Sequence, residues 1–136
     1  MAEIKTNFIV IDDSELDCFI AEKMIRHTGK CGTVISFNTA AEALEYVKNR
    51  EVDDDEDCRT VLILDVLMPL MSGFAFVEEF EKLPHSIQDR YFIVALTSSM
   101  NRNDMDKIKS YRSVRLLLDK PITSEAISAF IAADKL

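Results

Sequence analysis

The chain has 136 residues, of which 48% are hydrophobic and 29% are charged, and its formal net charge is −8 at pH 7. This length and composition suit one globular domain rather than a disordered chain, and the acidic excess argues against a nucleic-acid partner because affinity for phosphates comes from Lys and Arg. Neither GxGxxG nor GxxxxGKS/T occurs, so a Rossmann or P-loop nucleotide site lacks its main support.

Five short apolar runs alternate along the chain with longer amphipathic segments, a rhythm typical of βα units around a parallel sheet. The predicted strands are 8–11, 34–37, 61–64, 92–96 and 114–118. Three of these runs are continuous stretches rich in Val, Ile, Leu and Phe, without alternation between apolar and polar residues. Strands that are buried on both faces of a sheet have this composition.

Helices are predicted between the strands from apolar residues at helical spacing and from capping residues. They run from Glu15 to about His27, from the capping-box sequence Thr39-Ala-Ala-Glu42 to about Lys48, from Ser72 to before Pro84, from Asn101 to near Ser110, and from Thr123 or Ser124 onward. This alternation predicts a doubly wound α/β domain with right-handed crossovers and a site at the carboxyl ends of the strands.

The acidic segment 53–57 has the composition of a metal-binding loop but not its pattern. An EF-hand loop beginning at Asp53 would need Gly at its sixth position and Glu at its twelfth. Those positions hold Cys58 and Leu64, and the segment leads into a predicted strand. We therefore interpret it as a solvated connection.

The cysteines favour a reducing compartment, and the N-terminal sequence bears on targeting. Cys18, Cys31 and Cys58 form no CxxC pair, which predicts free thiols rather than a disulfide framework or a zinc site. The sequence shows no signal-peptide pattern, and no apolar run approaches the length of a membrane span. The expected location is the cytoplasm.

Polar residues follow four of the predicted strands at the point where each strand ends. They are Asp12 and Asp13, Asp65, Thr97 and Ser98, and Lys120 with Pro121. Each of these residues alone has an ordinary structural explanation, such as a helix N-terminus for the acids. The carboxyl ends of parallel strands meet at one edge of a sheet, so the joint pattern predicts three carboxylates, a hydroxyl and an ammonium in one cleft.

Electrostatics indicates what such a cleft would bind. Two carboxylates about 4 Å apart repel by about 4 kcal/mol at an effective dielectric constant of about 20. Mg²⁺ relieves this repulsion with one or two carboxylates, retains waters and accepts phosphate oxygens. An Asp carboxylate beside Mg²⁺, a lysine and a hydroxyl is suited to phosphoryl transfer through an aspartyl phosphate.

The same residues, in the same order and spacing, resemble those of the receiver domains of two-component response regulators. The matching motifs are Asp12-Asp13, the run Leu64-Asp65-Val66-Leu67-Met68-Pro69 with Gly73, Thr97-Ser98 and Lys120-Pro121. The resemblance covers nearly the whole chain, from about Ile4 onward. It implies one receiver domain over residues 1–136 without an output domain, and a flavodoxin-like (βα)₅ fold with strand order 2-1-3-4-5.

The resemblance also implies a function and a set of roles. A receiver takes a phosphoryl group from a sensor histidine kinase or a histidine phosphotransfer protein and is not an enzyme in the usual sense. By motif, Asp65 is the phosphoacceptor. Asp13, Asp65 and the backbone carbonyl of Leu67 ligate Mg²⁺, and Asp12 acts mostly through a water. Thr97 and Lys120 contact the phosphoryl group, and the Lys120–Pro121 peptide is expected to be cis.

Some positions depart from the family pattern. Leu117 stands where many receivers have the Tyr or Phe of an aromatic switch, so activation is expected to use another readout. Leu67 is apolar where a polar residue would orient the hydrolytic water, which predicts slow self-dephosphorylation. Ser72 replaces a frequent Asp, with little expected consequence because Ser also caps helices.

The family also suggests where partners bind. The kinase-docking surface is expected on the first helix and the loop after the fifth strand, with Leu16, Phe19, Ile20 and Pro121 as candidates. The output surface is expected from Met100 to Ser110, over the fifth strand, to the last helix. The same surface is the candidate homodimer interface, and no membrane partner is expected.

Other classes of protein fit less well. A haloacid-dehalogenase-like phosphatase needs DxD, but Ser14 and Leu67 occupy the second Asp position after Asp12 and Asp65. A flavodoxin-type FMN binder would find its phosphate repelled by Asp12 and Asp13. A histidine phosphotransfer protein carries its His on a helix of a bundle, whereas His27 and His85 lie outside the predicted cleft, which argues against this class. The remaining alternative is a pseudo-receiver, which has the same fold but binds proteins without phosphorylation.

Overall fold

The computed structural model of the chain describes residues 6–49, 60–66, 72–98 and 102–134. The acidic segment 53–57, the Leu67 carbonyl and the start of the expected output surface at Met100 lie outside these ranges. Cys58 and Asn101 also lie outside them.

The strands form one parallel sheet of order β2-β1-β3-β4-β5. They are β1 (Thr6–Ile11), β2 (Cys31–Phe37), β3 (Thr60–Asp65), β4 (Tyr91–Thr97) and β5 (Val114–Asp119). Each contains its predicted run and extends it by up to three residues. The predicted fold class and strand order are confirmed.

Six helices lie in the described ranges, one more than the sequence predicts. They are α1 (Glu15–His27), α2 (Ala40–Asn49), α3 (Gly73–Phe80), α4 (His85–Gln88), α5 (Arg102–Ser110) and α6 (Ser124–Asp134). The helix α4 is a single turn that follows Pro84, and four residues are too few to show a helical period.

Side-chain caps explain where several helices begin. The hydroxyls of Ser14, Thr39, Ser72 and Thr123 each accept a hydrogen bond from the backbone N–H three residues later, at 3.1–3.2 Å. Thr123 rather than Ser124 therefore caps α6. The Ser124 hydroxyl instead donates to the backbone carbonyl of Met24 in α1, at 3.0 Å.

Two apolar clusters cover the two faces of the sheet. Alternate residues of β1 face opposite sides, so Ile9 and Ile11 pack with α2 and α3, whereas Phe8 and Val10 pack with α1 and α6. All residues of β3 and β4 are buried, as the continuous apolar runs predict. The chain order reverses at β1, which has β2 on one side and β3 on the other. This topology places a cleft at the carboxyl ends of β1 and β3.

Among the helices of the described ranges, none has both the length and the apolar character of a membrane span.

Candidate functional site

Three carboxylates meet at the carboxyl ends of β1 and β3. Ile11 and Leu64 are paired in the register of these strands, and Asp12 and Asp65 follow them directly. Asp12, Asp13 and Asp65 each offer an oxygen that lies within 4.8 Å of the others. Asp12 and Asp65 are buried and Asp13 is exposed. The structure thus brings together the three acids that the sequence placed in one cleft.

Lys120 joins this group from the end of β5. Its Nζ lies 2.7 Å from Asp12 Oδ2 and 3.4 Å from Asp65 Oδ2. Burial by itself would lower the pKa of Lys120. Hydrogen bonds to Asp12 and Asp17 and the charges of Asp12 and Asp65 outweigh that effect and hold the pKa above its usual value. The side chain is therefore a permanent ammonium at neutral pH.

Asp17 is a further member of the site that the sequence motifs do not indicate. It lies in the first turn of α1, and its Oδ2 is 3.0 Å from Lys120 Nζ. The available signal was its position four residues after Asp13, which places both acids near the same end of one helix. Its partner is 103 residues away in sequence, so local patterns could not identify the contact.

Thr97 is the last residue of β4, next to the strand that carries Asp65. It is buried, and its Oγ1 has no hydrogen-bond partner within the described part of the chain. A buried hydroxyl without a partner is costly, by about 1–3 kcal/mol. Such a group is typical of a site that binds a further polar ligand.

Comparison with known proteins identifies the family. The family model of the response regulator receiver domain matches residues 8–132. The chain belongs to this family. The comparison with curated proteins gave no significant match.

Solved structures of receiver domains have the same fold. A response regulator receiver protein from Dyadobacter fermentans is 26% identical, with a TM-score of 0.82 over 94% of this chain and 96% of that one. The chemotaxis protein CheY4 of Vibrio cholerae is 22% identical, with a TM-score of 0.73 over 95% and 98% of the two chains. The receiver domain of the sensor histidine kinase PA1611 from Pseudomonas aeruginosa is 16% identical, with a TM-score of 0.74 over 95% and 96%, and coordinates a magnesium ion in its active-site cleft.

Backbone hydrogen bonds fix Asp12 of this receiver domain. Its N–H donates to Phe37 O at 3.0 Å, and its carbonyl accepts from Asn38 Nδ2 at 3.1 Å and from the Cys18 thiol at 3.4 Å. Burial, followed by the charge of Asp12, raises the pKa of Cys18 to about 11. Cys18 is thus a protonated structural thiol that helps to position the first carboxylate.

A glycine lets α3 approach the end of β3 closely. Gly73 N donates to Val66 O at 2.9 Å, and a Cβ at this position would lie 2.7 Å from Val66 Cα. Only glycine fits this contact without a backbone shift, which explains the Ser72-Gly73 sequence at the start of α3. The contact fixes the backbone immediately after Asp65.

A cavity of about 290 Å³ lies beside the acids, between α1 and the loop after β5. Its lining is mostly apolar and includes Ile20 and Pro121, with Asp12, Asp17 and Lys120 at its polar side. On the adjacent surface of α1, Leu16 is 66% exposed and Phe19 is 56% exposed. The residues expected for kinase docking therefore lie next to the acidic site.

The donor set of the receiver site fits a hard divalent cation. It consists of carboxylate oxygens that converge on one point, and Mg²⁺ and Ca²⁺ prefer oxygen ligands. The ammonium of Lys120 carries one positive charge, which cannot balance the charges of Asp12, Asp13, Asp17 and Asp65.

Proposed function

We propose that this receiver domain accepts a phosphoryl group on the carboxylate of Asp65, with Mg²⁺ as cofactor, and signals through altered protein contacts. The observation that carries the proposal is the convergence of Asp12, Asp13 and Asp65 with the ammonium of Lys120. Membership of the receiver family supports it. The phosphoryl donor is a sensor histidine kinase or a histidine phosphotransfer protein.

The reaction is a displacement at phosphorus. A carboxylate oxygen of Asp65 attacks the phosphorus of a phosphohistidine, and an O–P bond forms as the P–N bond breaks. The bonding electrons stay with the imidazole nitrogen, which is then protonated. The carboxylate of Asp65 suits this role because it lies at the end of a fully buried strand. The contact between Gly73 and Val66 fixes the backbone next to it.

The neighbouring groups stabilise charge on the phosphoryl oxygens. Asp12, Asp13, Asp65 and the Leu67 carbonyl would hold Mg²⁺, which supplies positive charge to the phosphoryl oxygens. The ammonium of Lys120, 3.4 Å from Asp65 Oδ2, supplies further positive charge. The hydroxyl of Thr97 donates a hydrogen bond to a phosphoryl oxygen and so gains a partner.

Two surfaces serve the partners. The exposed side chains of Leu16 and Phe19, with Ile20 and Pro121, form the surface for the phosphoryl donor. The face formed by α5, β5 and α6 is the output surface and the candidate homodimer interface. Leu117 in β5 packs against the core on the α2–α3 side, and no ring at this position can act as an aromatic switch.

The second candidate, a pseudo-receiver, is favoured by two observations. Leu117 stands at the switch position, and Lys120 already neutralises part of the acidic cluster without a metal ion. This candidate has the same fold and the same docking surfaces. It differs in having no response to a phosphodonor.

The test is incubation with Mg²⁺ and acetyl phosphate, followed by intact-mass spectrometry. We expect wild type to gain one hydroxylamine-labile phosphoryl group and Asp65→Asn to gain none. Asp89→Asn, the same change at an exposed position at the other end of the sheet, should behave as wild type. No label on wild type at saturating Mg²⁺ supports the pseudo-receiver, and equal labelling of Asp65→Asn refutes the assignment of the acceptor.

A further inference from the structure

The ammonium of Lys120 is shared among carboxylates of two kinds. Asp12 and Asp65 belong to the acidic cluster, and their side chains are 5% and 6% exposed. Asp17 lies outside that cluster, and its side chain is 40% exposed. We propose that Asp17 is a positioning residue that retains Lys120 when a divalent cation occupies Asp12 and Asp65. This inference rests on the proposed function.

The proposal follows from a conflict between two cations. Lys120 occupies Oδ2 of Asp12 at 2.7 Å and lies 3.4 Å from Oδ2 of Asp65. A metal at the acidic cluster needs oxygens of the same two residues. Since the ammonium and the metal repel one another, a bound metal weakens the hold of Asp12 and Asp65 on Lys120.

Asp17 offers Lys120 a contact for which the metal does not compete. Its Oδ2 is already 3.0 Å from Nζ, and its N–H is held by the Ser14 hydroxyl at 3.2 Å. Asp12, Asp17 and Lys120 all line the cavity of about 290 Å³, so the ammonium has space to move without displacing packed side chains. Asp17 is half-exposed, and so the pair stays hydrated.

One position of the Lys120 ammonium serves both Asp17 and Asp65, because its Nζ lies 3.0 Å from Oδ2 of Asp17 and 3.4 Å from Oδ2 of Asp65. The ammonium is therefore retained at the edge of the cleft, from which it can contact a phosphoryl group on Asp65. Without Asp17, its remaining charged partners among the described residues are the proposed metal ligands.

The test is a titration of Mg²⁺ by calorimetry in the absence of any phosphodonor. We expect Asp17→Asn to weaken Mg²⁺ binding about fivefold, because Lys120 then competes fully for Asp12 and Asp65. Glu15→Gln is the matched control. It removes the same charge from the same helical turn at an exposed position and should change the affinity less than about twofold.

A second background separates the lysine contact from the general field of the carboxylate. In Lys120→Gln, the further change Asp17→Asn should alter Mg²⁺ affinity less than about twofold, since no ammonium remains to be retained. Lys120→Met provides the same background if the Gln variant does not fold. An equal loss with and without Lys120, or a loss no larger than that of Glu15→Gln, would overturn the inference alone. A wild type that binds no Mg²⁺ would overturn the proposed function as well.

Discussion

The two ends of the sheet both contain buried polar side chains, but their environments are opposite. At the amino end, Gln88 Nε2 donates to the carbonyls of Glu81 and Leu83 at 3.1 and 2.7 Å, and Glu81 accepts from Ser113. At the carboxyl end, like charges converge on one point and a buried hydroxyl lacks a described partner. Satisfied polar groups hold the first end together, whereas the second end gathers three carboxylates around the ammonium of Lys120 and leaves the Thr97 hydroxyl without a described partner.

The largest expected effect is that of removing the ammonium at the carboxyl end. Lys120→Met leaves the buried carboxylates of Asp12 and Asp65 without their ammonium partner. We therefore expect the free energy of unfolding to fall by about 3 kcal/mol in metal-free buffer. Added Mg²⁺ should restore part of the loss. Urea unfolding followed by circular dichroism measures both effects.

The matched control is Lys82→Met, at the amino end. Lys82 forms a surface pair with Glu79 and is 71% exposed, so the loss should stay below about 0.5 kcal/mol. Equal losses of stability in Lys120→Met and Lys82→Met would show that a lysine contributes the same stability at both ends of the sheet.

The next effect concerns two thiols, one at each end. With its pKa at about 11, Cys18 holds about 100-fold less thiolate at neutral pH than an ordinary thiol. Cys31, which begins β2 at the amino end, is partly exposed. In a Cys58→Ser background, we expect a maleimide to label Cys31 and to spare Cys18 at pH 7.5, as read by peptide mass spectrometry.

The raised pKa of Cys18 also predicts how stability depends on pH. Above pH 9 the unfolded chain loses the Cys18 proton while the folded chain keeps it, so stability should fall between pH 9 and about 11. Cys18→Ala should flatten this part of the stability profile. Rapid labelling of Cys18 in the native protein at pH 7.5 would contradict the assignment of a buried, protonated thiol.

A smaller effect is expected at the amino end. Gln88→Leu leaves the carbonyls of Glu81 and Leu83 without their donor, which should lower the free energy of unfolding by about 2 kcal/mol. Mg²⁺ affinity should not change, because the acidic cluster is at the opposite end. Asp89→Asn, next in sequence and exposed, is the control and should leave both quantities unaltered. A change in Mg²⁺ affinity in Gln88→Leu would show that the two ends of the sheet are not independent.

The smallest loss of stability is expected for Thr97→Val. This substitution removes a buried hydroxyl without a described partner, so the free energy of unfolding should not fall and is expected to rise by about 1 kcal/mol. Binding of beryllofluoride, measured by ¹⁹F NMR, should weaken because that hydroxyl no longer donates to the ligand. Ser113→Ala removes a paired hydroxyl at the amino end and should cost about 1 kcal/mol. A greater loss of stability in Thr97→Val than in Ser113→Ala would reverse the comparison.

Much of the fold and the three acids were predictable because their signals are local. A polar residue directly after an apolar run marks a strand end, and the topology of a parallel sheet brings such ends together. Contacts between distant segments were not predictable. Asp17 binds a lysine that is 103 residues away. Thr123 caps α6, whereas the hydroxyl of Ser124 donates to the backbone carbonyl of Met24 in α1.

Asn38 links an edge strand to the chemistry of the cleft. It is exposed and follows β2, yet its amide donates to the carbonyl of Asp12 at 3.1 Å. A substitution such as Asn38→Ala would therefore act on the orientation of the first acid while every charge in the cleft remains. Surface engineering after β2 thus offers a way to adjust the geometry of the acidic cluster without altering its charged residues.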